Sequence, residues 1–115
     1  MKGELPLATW RHRLLLSIGL RRGALIEGNS MLPTLRDGDA VLISPRSKIN
    51  VGDIVLARHP FKQSVKIVKR VVSVNSDDTF ELAGDNPSES TDSRSFGSIR
   101  SKDILGKLDR RLNPK

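Results

Sequence analysis

Val65-Lys66-Ile67-Val68-Lys69-Arg70-Val71-Val72-Ser73-Val74 is the stretch that sets the fold, because six of its ten residues are Val or Ile. Branched side chains of this kind suit a pleated strand. Alternation then puts Lys66, Val68, Arg70 and Val72 on one face and Val65, Ile67, Lys69 and Val71 on the other. Lys69 is the only charged residue on the apolar face. A strand that merely decorated its wet side would keep its cations with Lys66 and Arg70. Burial disfavours the ammonium form, so Lys69 is expected to lose its proton more readily than an ordinary lysine, as a general base must. A lysine snorkelling at a sheet edge fits the same parity.

Outward from this strand the pattern repeats. Short apolar runs at 24–26, 40–43, 54–57 and 79–82 are divided by Asp37-Gly38-Asp39, Val51-Gly52-Asp53, His59-Pro60, 75–78 and Gly84-Asp85-Asn86-Pro87. Many short strands at about ten-residue spacing predict an all-β, mainly antiparallel fold, a compact curled sheet or partial barrel. Residues 99–112 carry an apolar comb (Ile104, Leu105, Leu108, Leu112) that fits a closing strand or a short helix equally well. The 115 residues make one domain: a catalytic-sized unit over 23–112, a basic arm over 1–22 and a tail over 113–115. In the arm Thr9 is placed to cap a short helix with Trp10, Leu14 and Ile18 along one side. That helix could pack on its own domain or make peripheral contact with a membrane surface.

The absence of Cys excludes disulfides and thiolate chemistry, and His12 and His59 alone are a poor zinc site. The formal charge of +7 lies at the ends. Residues 1–22 and 100–115 each carry a surplus of four positive charges, whereas 23–99 hold nine basic and ten acidic groups. A middle without a basic surplus, together with three Phe and one Trp, argues against nucleic-acid binding. The longest apolar run, 14–20, is far short of the roughly 20 residues a spanning helix needs, so no transmembrane segment is expected. Arg21-Arg22-Gly23 does not suit a signal-peptide cleavage site, which points to a cytoplasmic protein.

Two further segments carry chemistry. In Glu27-Gly28-Asn29-Ser30-Met31-Leu32-Pro33-Thr34-Leu35 a hydroxyl stands between an apolar strand and a turn-setting Pro. Gly28 would let a substrate backbone approach, with Asn29, Met31 and Pro33 completing a cleft wall. Ser30 capping an ordinary polar turn fits as well. The loop from Gly84-Asp85-Asn86 through Ser90, Asp92, Arg94 and Gly97 gathers hydroxyls, carboxylates and a guanidinium, suited either to supporting a site or to plain solvation.

Taken together the three segments resemble the type I signal peptidase family. Ser30, within Gly28-Asn29-Ser30-Met31-Leu32-Pro33-Thr34-Leu35, stands in the nucleophile's place. Lys69, in Lys69-Arg70-Val71-Val72, stands in that of the general base. Gly84-Asp85-Asn86, Ser90 and Asp92-Ser93-Arg94 look like the last box, in which Ser90 orients the lysine and an Asp92–Arg94 pair supports the site along with Asp85 and Asn86. The resemblance runs from about residue 26 to 108. Compared with typical bacterial members the sequence shows neither membrane helices before the nucleophile nor a large insertion between the last two boxes. It looks like the small soluble branch of nickel-type superoxide dismutase maturation proteases.

That resemblance implies a Ser–Lys endopeptidase, needing no metal or organic cofactor, that removes a short N-terminal extension from a precursor protein, the nickel superoxide dismutase precursor. Gly28 stands where some members have a hydroxyl that helps bind the oxyanion. The Ser30 backbone N–H and one other donor are then expected to serve. A His-based mechanism through His59 competes. So do three other readings: a peripheral leader peptidase at a membrane, a non-catalytic β-domain binding a partner through its basic ends, and a self-cleaving DNA-binding repressor. The last needs a helix-turn-helix domain that 22 residues cannot supply.

Overall fold

The structure, a computed structural model, describes residues 22–45, 48–62, 64–89 and 97–112. The arm expected over 1–22 lies outside the described residues apart from Arg22, as does the tail at 113–115. Among the described residues seven strands form: β1 (Arg22–Leu25), β2 (Ala40–Ser44), β3 (Ile54–Arg58), β4 (Lys66–Val74), β5 (Thr79–Ala83), β6 (Ile99–Arg100) and β7 (Ile104–Arg111). All pairings are antiparallel, in the order β1-β2-β7-β3-β4-β5-β6. The expected all-β curled sheet is the one observed. Residues 99–112 resolve as strand, not helix, and β7 runs through the middle of the sheet between β2 and β3.

Alternation along β3 and β4 divides the core between two faces. Ile54, Leu56 and Val68 pack with Ile26, Met31, Leu35, Val41, Ile43 and Leu108 on one side. Val55, Ala57, Ile67 and Val71 pack with Phe80, Leu82, Ile99 and Ile104 on the other. Such two-sided cover corrects the expectation that the Lys66–Val68–Arg70 face is wet: Val68 lies against the first cluster and Arg70 is only 8% exposed. The sheet curls, so its two ends cover opposite faces of the central strands.

Arg70 is also where β4 changes neighbours. Residues from Lys66 to Arg70 are in register with β3, the last rung being Ile54 with Arg70. Register with β5 begins at Arg70 with Ala83 and continues to Val74. The first half of β4 therefore runs on past the end of β5. At the far end of the sheet, Ser98 and Asn75 donate to Glu81 and hold its carboxyl below the usual range, tying β5 to the chain that enters β6.

β7 is irregular on both sides, with register breaks at Leu42/Ile43 of β2 and Leu56/Ala57 of β3. Gly106 lies at this crowded crossing. A Cβ there would sit 2.6 Å from Ile43 Cγ2 and 2.8 Å from the Ser44 carbonyl oxygen. Because the oxygen is backbone, it cannot rotate away. Gly106→Ala should cost about 1–3 kcal/mol by overpacking, read as a lowered midpoint in urea denaturation at unchanged slope. A shift within about 0.5 kcal/mol would show that the strand crossing relaxes freely.

Candidate active site

The loop after β1 is fixed at both ends. Ile26 donates to the Asp39 carbonyl and accepts from Gly38, closing the chain into a tight return. Beyond it Gly28 takes φ +79°, a conformation that favours glycine, and donates its N–H to Asp37 Oδ1 at 2.7 Å. The Gly28 N–H is thus already engaged. One turn follows, with Leu32 donating to Asn29 and Leu35 to Met31. Met31 and Leu35 are sunk in the core, at 1% and 0% exposure, and Ser30 is left half-buried beside them.

Lys69 comes from β4, opposite Val55, and is 5% exposed. A cleft of about 1140 Å³ is lined by Ser30, Met31, Leu56, Val68 and Lys69 among others. Both faces of β4 contribute to this lining, so the cleft runs along the strand's edge. Ser30 and Lys69 are accordingly brought to one cavity. Of the expected cleft residues, Met31 lines it, whereas Gly28, Asn29 and Pro33 sit at exposed positions of the loop outside the lining. Gly28 is held away by its bond to Asp37. His59 also stands outside the lining, and its Nδ1 accepts the Phe61 N–H at 3.1 Å.

Asp85 and Asn86 hold the segments together. The buried Asp85 carboxylate receives Arg70 Nε and Nη2, each at 2.9 Å, and Thr34 Oγ1 at 2.6 Å. Arg70 Nη1 reaches on to the Gly52 carbonyl at 2.7 Å. Next door, the Asn86 backbone donates to the Ser30 carbonyl at 2.8 Å and its side chain to the Asn29 carbonyl at 3.1 Å. Residues adjacent to the serine and to the lysine are thereby clamped onto one short loop. Ser90, Asp92 and Arg94, expected to support the site, lie outside the described residues.

Sequence reasoning missed the parts played by Arg70 and Thr34. Parity assigned Arg70 to solvent, and Thr34 drew notice only as part of its motif. The one available signal was Asp85, a carboxylate just beyond an apolar strand, which needs a cation if it is buried.

A model of the Peptidase S24-like family matches residues 23–108. The chain belongs to the Peptidase S24-like family. It is 34% identical over 113 residues to a mitochondrial inner membrane protease subunit 1 of Xenopus tropicalis, covering 78% of this chain and 68% of that protein. Similar values, 34% over 115 residues with 77% and 68% covered, relate it to a mitochondrial ATP-independent inner membrane protease subunit 1a of Arabidopsis thaliana. The mouse subunit 1 is 33% identical over 107 residues, with 73% and 64% covered. The chain is therefore a peptidase, signal-peptidase-like in its motifs, and these relatives are named for a membrane protease rather than for dismutase maturation. Among the described residues no helix is long and apolar enough to cross a membrane.

The clamp makes a graded prediction. Arg70→Met strands the buried Asp85 carboxylate without its guanidinium and should cost about 3–5 kcal/mol. Thr34→Val removes one hydrogen bond while the ion pair stays, and should cost about 1–2 kcal/mol. Chemical denaturation of both variants checks the order; a reversed ranking would mean that the pair is not what holds the loops.

Proposed function

We propose that the chain is a serine endopeptidase in which Ser30 is the nucleophile and Lys69 the general base, and that it removes a short N-terminal extension from a precursor protein. The observation that carries this reading is the convergence of Ser30 and buried Lys69 on one cleft, from segments clamped by Asp85 and Asn86. Burial to 5% exposure takes the Lys69 amine out of water, which disfavours its charged form. Neutral Lys69 takes the Ser30 proton as Oγ attacks the scissile carbonyl. Protonated Lys69 then gives that proton to the departing amine, and water attacks the acyl-enzyme through the same base. Ser90 would orient the amine.

The developing oxyanion needs donors. Among the described residues nothing accepts from the Ser30 N–H, which suits it to this task, whereas the Gly28 N–H is spent on Asp37. The first half of β4, running on past β5, offers an edge on which an extended peptide can add as a strand. The resemblance nominates the nickel superoxide dismutase precursor as substrate, and the ill-suited Arg21-Arg22-Gly23 cleavage context nominates the cytoplasm as the place of work. The membrane-protease names of the relatives favour a second reading, a leader peptidase acting at a membrane face. Incubation with the dismutase precursor against a membrane-targeted precursor, with cell fractionation beside it, separates the two.

Ser30→Ala and Lys69→Ala should each lower cleavage at least about a thousandfold, and the double variant should lose little more, because the two act as a unit. Mass spectrometry of wild-type digests should find one cut near the precursor's N-terminus. Loss of the base on protonation also makes the rate fall as pH is lowered. Robust turnover by Lys69→Ala would remove lysine as the base, and inactivity of folded His59→Ala would put histidine in its place.

A further inference from the structure

Arg58 and Lys66 are directly opposed across β3 and β4, and both line the cleft. Two cations face to face on neighbouring strands repel, and they occupy the last rung of the β3–β4 ladder, where a neutral pair would serve the fold better. Neither charge is well neutralised. The buried Asp103 carboxylate approaches Arg58 Nη1 only to 4.0 Å, and among the described residues no ion pair reaches exposed Lys66. Among the described residues the one acidic side chain of the lining is Glu27, which follows the end of β1 that pairs with Ala40, whereas Arg58 stands beyond the Ala57–Ile104 rung at the opposite end of the strands. The cleft is thus polarised along its length. Lys66 precedes Lys69 by three residues of one strand, roughly 10 Å at about 3.3 Å per residue.

We propose that Arg58 and Lys66 form an anion subsite of the peptidase cleft, selecting precursors that carry an aspartate or glutamate three or four residues from the scissile bond. This rests on the endopeptidase reading above. An added substrate strand lies along the β4 edge with the same rise per residue as β4 itself, so the residue level with Lys66 is set by the one level with Lys69. An acidic side chain there relieves the repulsion between the cations, and its pairing is strengthened by the apolar wall of Leu56 and Val68 on the same face. Both cations line a concave cleft, which an extended peptide can enter and a flat anionic membrane surface cannot.

The experiment uses synthetic peptides spanning the mapped cut, with Asp or Asn placed in turn at each position on both sides. For wild type the ratio of kcat/KM for Asp over Asn should be about fivefold at a position three or four residues from the cut, and close to one elsewhere. The ratio should fall to about one in Arg58→Gln/Lys66→Gln and in 0.5 M NaCl, and Lys66→Glu should turn the preference towards Lys peptides. A ratio that stays at fivefold in the double variant, or is flat in wild type, overturns the subsite. Anisotropy of fluorescein-labelled Asp and Asn peptides on full-length Ser30→Ala reads the subsite without turnover. If wild type cleaves nothing, the endopeptidase reading fails by itself, and equal binding of the two peptides is what would sink the subsite. Co-sedimentation with phosphatidylglycerol–phosphatidylcholine vesicles that is lost in the double variant, while the peptide ratio is unchanged, would assign the pair to a membrane and overturn the proposal.

Discussion

Everything around the cleft depends on one buried ion pair. Arg70 and Asp85 meet through two hydrogen bonds, a geometry that fixes the angle between the two planar groups as well as their distance. Removing both charges from water is costly, and Thr34 and the Gly52 carbonyl help to repay it by taking up further valences. A pair of this kind contributes less to net stability than to uniqueness. It allows one relative placement of the Ser30 loop, β4 and the Asp85 loop, and any other leaves a charge unpaired in the core.

The same residue organises the sheet. Arg70 is the last rung of β4 with β3 and the first with β5, so the ion pair sits at the point where the strand exchanges neighbours. Upstream the strand borders the cleft; downstream it is stitched into the β5 hairpin. Charge and topology therefore agree on where the site begins. Neighbouring Lys69 inherits its position from this pivot, since alternation turns it to the face opposite Arg70 and towards Ile67 and Val71.

The strands were legible because their signal is local. Val and Ile runs bounded by Gly, Asp and Pro turns locate β2 to β5 within a residue or two, and parity offers burial of Lys69 beside a snorkelling edge position, a choice that its 5% exposure decides. What stayed hidden needs the third dimension. Parity says which residues share a face but not whether that face is covered, so Arg70 looked solvated until the first apolar cluster was seen against Val68. β7 escaped for another reason. Its register breaks on both sides and Gly106 interrupts the two-residue period, leaving an apolar comb that serves a helix as well as a strand. Thr34 gives no sequence signal for its bond to Asp85, because a lone Thr after a Pro has many uses.

Placing Ser30 on a loop and Lys69 on a strand carries a risk for any site that needs the two together, since loops drift and strands do not. This chain meets it from two directions. Met31 and Leu35 anchor the loop by burial, which resists displacement but leaves the loop free to slide over a smooth apolar surface. Asn86 and Thr34 supply what burial lacks, directional bonds from the loop to the segment that also binds Arg70. The two kinds of restraint differ in their response to solvent conditions: denaturants weaken the apolar anchor, while the bonds and ion pair answer to protonation and unpaired charge. A site held by only one of them would lose its geometry under conditions in which the sheet itself survives, and in this fold the cleft and the sheet share Arg70 and so are bound to fail together.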